Sequence, residues 1–200
     1  MRATTPGPQA AGTSERILEE AGQLAQKRGF NGFSYADIAV ALKITKASLH
    51  YHFASKAELG RALIVRYTER FQAALDALDG TPANVLRSYV RLYEEVLVRD
   101  RMCLCGMFAA EYSTLPGPMR NELRRFFEKN EVWLARHLEQ GRENGALRYE
   151  GTPLEMARML TAGLEGAMLL ARSFEKPERF TETAERLLAE LGVPRSRKRA

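Results

Sequence analysis

Between Ser34 and Leu59 the chain reads SYADIAVALKITKASLHYHFASKAEL, and this stretch leaves the backbone few choices. Ser34 can cap a helix, with Asp37 placed as in a weaker capping box and Ile38, Ala39 and Leu42 on one face. The turn Leu42-Lys43-Ile44-Thr45 is short, and Thr45 can cap a second, short helix to about Tyr51, with Ala47 and Leu49 able to face inward. Ser55 and Glu58 form a full capping box for a longer helix through Leu59, Leu63, Tyr67 and Phe71. Capping signals this close together specify short helices joined by tight turns and leave no room for strands.

Helical periodicity continues on both sides. Ser14 is expected to cap a first helix carrying Ile17, Leu18, Ala21, Leu24 and Ala25, stopped at Gly29. Asp79-Gly80-Thr81-Pro82 closes the long helix near Leu78. Further helices are expected over 82–98, 102–112, 119–143, 153–174 and 178–191, separated by Pro and Gly breaks at 115–118, 144–145, 152–153 and 176–177. The class is all-α: an N-terminal three-helix helix-turn-helix domain followed by a larger helical domain. The expected division is a flexible tail over 1–12, a helix-turn-helix domain over 13–60, a connecting helix over 61–80, a helical domain over 81–193 and a basic tail over 194–200.

The short helix after Thr45 has the chemistry of a DNA-reading element. Its N-terminus offers free N–H groups and a positive dipole to phosphate. Lys46 can donate to guanine or phosphate, Thr45 and Ser48 to base edges or backbone, and Ala47 permits close approach or meets a thymine methyl. His50, Tyr51 and His52 present polar edges to phosphates. Lys56 opposes the dipole of the next helix, a cost that makes sense if it points at a phosphate; a solvated lysine is the other reading. The net charge of +5 and a pI near 9.4 favour a polyanionic partner. Part of that charge sits on Arg195, Arg197, Lys198 and Arg199, read either as a solvated end or as an auxiliary phosphate contact.

The residues from Ile44 to Leu59, with Gly29-Phe30 and Asp37-Ile38-Ala39 upstream, resemble the DNA-binding region of the TetR/AcrR family of bacterial transcriptional repressors. Position 50 is more often Tyr in that block; here it is His. The resemblance implies contacts to double-stranded operator DNA from Ser34, Tyr35, Thr45, Lys46, Ala47, Ser48, His50, Tyr51, His52 and Lys56. It implies a homodimer with reading helices about one DNA turn apart on a near-palindromic operator. It further implies an effector cavity in the C-terminal domain and dimerisation through the helices over 153–174 and 178–191. Gly163, Gly166 and Ala167 suit such close helix approach, although packing within one chain produces the same pattern.

The stretch from Arg101 to Tyr112 is the clearest sensor-side feature. Cys103 and Cys105 would point about 200° apart on a helix, so they are poorly placed to bridge each other. Some members of the family sense electrophiles or oxidants through cysteine, and this stretch looks like theirs; two inert core residues are the other reading. Met107, Phe108, Tyr112, Phe127 and Trp133 are candidates to line a pocket for an electrophilic or apolar effector. Glu111 is either a polar anchor or a surface residue.

Other classes find little support. Zinc-protease, phosphate-loop and nucleophile-elbow patterns are absent, and Ser173-to-Lys176 matches Ser-x-x-Lys without its companion motifs. No cofactor or metal set is expected. A helical protein-binding adaptor would explain the amphipathic helices but not the Thr45–Lys56 face. The sparse cysteines, and the lack of a secretory leader or membrane-length apolar run, lead to the expectation of a cytoplasmic protein.

Overall fold

The computed structural model describes residues 8–194, and the regular elements among them are all helical. They are α1 (Pro8–Arg28), α2 (Tyr35–Leu42), α3 (Lys46–His52), α4 (Lys56–Asp76), α5 (Pro82–Val98), α6 (Leu104–Ala110), α7 (Gly117–Glu143), α8 (Pro153–Ser173) and α9 (Glu178–Glu190). A single 3₁₀ turn, Tyr112–Thr114, follows α6. No helix among the described residues is long and apolar enough to cross a membrane.

Most helix ends fall where local chemistry puts them. The Thr45 hydroxyl accepts from Ser48 N at 3.1 Å, and that of Thr81 from Asn84 N at 3.3 Å, with Pro82 opening α5. At α2 the Asp37 carboxylate accepts from both Ser34 N (2.8 Å) and the Ser34 hydroxyl (2.6 Å). Helices α1 and α6 differ most from expectation, and α7 starts at Gly117, two residues before the expected 119. Helix α1 begins at Pro8, so Ser14 lies inside it rather than capping it. Proline tolerates the first turn, and Ala10 and Ala11 are strong helix formers. Residues 8–12 of the expected tail thus belong to α1; residues 1–7 lie outside the described residues, as do Arg195, Arg197, Lys198 and Arg199. Helix α6 is shorter than the 102–112 reading: Asp100 turns at φ 53, and beyond Ala110 the chain tightens through Thr114 N to Glu111 O at 3.0 Å.

Two compact units form. The first holds the chain up to Thr68 together with Leu104–Arg124, and the second holds Glu69–Cys103 with Arg125 onward. In the first, α2 and α3 pack on α1 and on each other, and α6 also packs on α1. Ile17, Ala21, Ala25, Ile38, Leu49, Leu59 and Ile64 are fully buried there. Phe30 stands edge-on to Phe33 at 6.3 Å and to Phe108 at 5.6 Å. Lys43, left-handed at φ 56, makes the turn that sets α3 across α2.

In the second unit α8 and α9 form the most extensive helix pair, with α5 against both. Gly163 lets α9 close on α8: a Cβ there would meet Leu187 at 2.8 Å. Gly163 thus serves packing inside the chain, whereas a Cβ at Gly166 would meet nothing within 4 Å. Ion pairs Arg87–Glu185 (3.2 Å) and Arg158–Glu131 (3.2 Å) border this core.

Candidate functional site

The first unit presents α3 outward. Leu49 is buried and anchors the helix, while Thr45, Lys46, Ala47, His50 and Tyr51 are exposed and Ser48 is half-buried. Tyr51 is 78% exposed. It stands edge-on to His52 at 5.2 Å. A concavity of about 360 Å³ brings Ser34, Tyr35, Lys46, His50 and Lys56 together beside α3.

Local bonds fix the parts of this face. Tyr35 donates its hydroxyl to Phe53 O at 2.8 Å, and its ring lies 4.8 Å from that of His50. Burial, helped by Glu58, pushes its phenol up to about 12, so the hydroxyl stays protonated. His50 Nδ1 lies 3.2 Å from Ala54 O, which sets the ring's direction. Lys56 departs from the phosphate-pointing reading. Its ammonium donates to Phe33 O and lies over the rings of Phe30 and Phe33, at 4.6 and 4.5 Å from their centroids. Burial lowers its pKa, with Glu111 and Asp37 opposing the shift. Lys56 braces the connection between α1 and α2 from within.

Glu111, just past α6, reaches the same connection. Its carboxylate accepts from Phe30 N at 2.5 Å and Asn31 N at 3.2 Å, and Asn31 Nδ2 donates to Thr114 Oγ1 at 2.8 Å. Gly29 makes this possible: it sits at φ 79, and a Cβ there would meet Glu111 Oε1 at 2.7 Å. Of the sensor candidates, Phe108 lies in this unit's core and Tyr112 is exposed under the Arg120 guanidinium, 5.0 Å from its ring. Cys105 and half-buried Met107 also belong to α6.

The second unit contains a buried polar cluster that sequence reasoning did not assemble. Tyr89 and Tyr93 place their hydroxyls 3.2 Å apart, and Asn130 Nδ2 donates to Tyr93 at 3.3 Å. Trp133 stacks on Tyr89 at 6.0 Å, and Phe127 stands half-buried against Phe126 at 5.1 Å. The Cys103 thiol is hydrogen-bonded to the Glu165 carboxyl, which burial pushes up to about 7. Burial also raises both tyrosines, Tyr89 to about 12. Asn130 Oδ1 and Glu165 Oε1 are shielded from solvent and have no hydrogen-bond partner. Both cysteines are buried and neither is in a disulfide. The i, i+4 spacing of Tyr89 and Tyr93 was the one signal available in the sequence; nothing pointed to Glu165. Among the described residues no His, Cys, Asp or Glu cluster could hold a metal ion.

A braced helix-turn-helix with an exposed, N-capped reading helix, carried by a larger helical unit, defines a DNA-binding transcriptional regulator. Residues 17–63 match the model of the bacterial regulatory proteins of the tetR family, and residues 83–187 match the tetracyclin repressor-like C-terminal domain. The chain belongs to the TetR family of transcriptional regulators. It is 29% identical over 159 residues to the transcriptional repressor DhaR of Mycobacterium sp. strain GP1, covering 78% of this chain and 80% of that one. It is 28% identical over 187 residues to the repressor NemR of Escherichia coli K12, covering 88% and 94%. The crystal structure of a TetR-family regulator from Agrobacterium tumefaciens superimposes with a TM-score of 0.87 at 31% identity, covering 91% of this chain and 98% of that one.

Proposed function

We propose that this chain is a homodimeric repressor that holds a near-palindromic operator and leaves it when a small-molecule effector binds or a cysteine is modified. The observation that carries the DNA-contacting part is the α3 face, where Lys46 and Tyr51 stand in solvent on a helix anchored from behind by Leu49. DhaR and NemR are named as repressors, which favours repression over activation here. For release, the effector must bind the DNA-incompetent conformation more tightly than the competent one. Glu111 suggests a route: Cys103 directly precedes α6, and the carboxylate just beyond α6 holds the Phe30 and Asn31 amides of the DNA-binding unit.

Operator fragments selected from genomic DNA provide the test. Lys46→Ala is expected to weaken binding by about 1–3 kcal/mol, and Tyr51→Ala severalfold, with unfolding curves unchanged. Wild-type affinity should fall steeply with salt as counterions are released. Unchanged affinity in both variants, by mobility shift, would remove α3 from the DNA.

Dimerisation is proposed through α8 and α9, supported by Met159, Leu169, Leu170 and Phe174, apolar residues of α8 and its end that are 44–56% exposed. Leu170→Glu combined with Phe174→Glu should convert the dimer to monomer in sedimentation equilibrium at micromolar concentration. A mass that stays dimeric would place the interface elsewhere.

A further inference from the structure

We infer that Glu165 accepts the thiol proton of Cys103 as that sulfur adds covalently to a small α,β-unsaturated carbonyl effector within the buried cluster of the second unit. The inference rests on the cysteine-modification reading above and names the residue and chemistry that would serve it.

The argument starts from unused polar capacity. A buried polar atom without a partner costs free energy, and a fold that needed only packing would carry an apolar side chain there. Here Asn130, which is fully buried, leaves Oδ1 unpartnered, and Glu165 leaves Oε1 unpartnered beside the thiol its carboxyl already bonds. In the same cluster stand two phenols, Tyr89 and Tyr93, kept protonated by burial; one donates to the other, which leaves one O–H of the pair for a further acceptor. Base, nucleophile and hydroxyl donors occupy one unit and one core. A cleft of about 490 Å³ is lined by Arg101 and Met102, directly before Cys103, and by Ala171, further along α8 from Glu165.

The step balances without an added oxidant or reductant. Sulfur bonds the β-carbon while the alkene π pair shifts toward the carbonyl oxygen, giving an enolate. The thiol proton passes to the Glu165 carboxylate and then to the α-carbon, leaving a neutral thioether and the carboxylate restored. The tyrosine pair donates to the enolate oxygen as charge develops. A carboxyl titrating near 7 is about half ionised at neutral pH, where a proton acceptor is most effective.

Full-length protein is treated with methyl vinyl ketone from about pH 5.5 to about pH 9, and adducts are located by peptide mass spectrometry. In the wild type the Cys103 rate should rise through about pH 7 and level off. Glu165→Gln should lower it about tenfold or more at neutral pH and move the rise toward the ordinary thiol range above about pH 8, while Glu165→Asp keeps part of the lower inflection. Equal rates and profiles in wild type and Glu165→Gln, or a wild-type profile with no inflection near 7, overturn the role of Glu165 and leave cysteine modification standing. An adduct confined to Cys105, or none at all, overturns the cysteine reading at Cys103 itself. Circular dichroism of each variant separates lost folding from lost reactivity.

Discussion

Phe108→Ala is expected to destabilise the protein by about 3–5 kcal/mol, the range for emptying a fully buried aromatic site. Phe108 has no exposed surface and meets Phe30 edge-on at 5.6 Å. Helix α6 is only seven residues long, too short to persist without docking, and it is held by Leu104, Cys105 and Phe108. Removing the ring leaves a cavity beside Phe30, on which Lys56 also rests. The loss should appear as a fall in melting temperature on the order of 10 °C. Because Glu111 follows α6 and bonds the Phe30 and Asn31 amides, operator affinity should fall as well. A destabilisation below about 1 kcal/mol would mean that the ring is not a core residue and would return Phe108 to the effector-contact reading it had from sequence.

The contrast between Thr45 and Glu111 explains how far the sequence could be read. Thr45 caps α3 through a residue three positions away, and Ser34 meets Asp37 at the same spacing, so both signals lie within one turn of chain. Local chemistry of that kind makes the helix-turn-helix legible in the sequence itself. Glu111 bonds an amide 81 positions away, and no periodicity relates the two. Glu165 has the same difficulty. On α8 it follows Leu164 and precedes Gly166, and alone it reads as an ordinary helical carboxylate. Its meaning comes from Tyr89 and Tyr93 on α5, Asn130 on α7 and Cys103 ahead of α6, which only folding gathers. Lys56 was legible only in part, for a different reason. The cost of a cation at a helix N-terminus was visible, but the carbonyl and aromatic faces that offset it come from the α1–α2 connection. The candidates around the cysteines divide for the same reason: Phe108 and Tyr112 fall in one unit, Cys103 and Trp133 in the other.

Raising the pH from about 4.5 to about 7.5 should cost the second unit about 3 kcal/mol of stability through Glu165 alone. In the folded chain this carboxyl holds its proton up to about 7, against an ordinary value of 4.5. Below the ordinary value both states are protonated and the group contributes no difference. Between the two values the unfolded chain releases the proton first, so unfolding gains as pH rises. Above the folded value both states are ionised, and the full cost of a buried, partly unpartnered carboxylate remains. Other groups run the opposite way: Asp37 and Glu155 are held below the ordinary range by Ser34 and Thr152, and they add stability as pH rises. Those groups are common to the wild type and Glu165→Gln, so the difference between the two profiles isolates position 165. Tyr89 and Tyr93 titrate far above this window. Trp133, the only tryptophan, stacks on Tyr89 inside the cluster, and its fluorescence reports urea unfolding at the relevant place. The Glu165→Gln variant should gain on the wild type steadily across the window. Parallel profiles would mean that the carboxyl is already ionised and solvated in the folded protein, leaving Cys103 without a proton acceptor poised near neutrality.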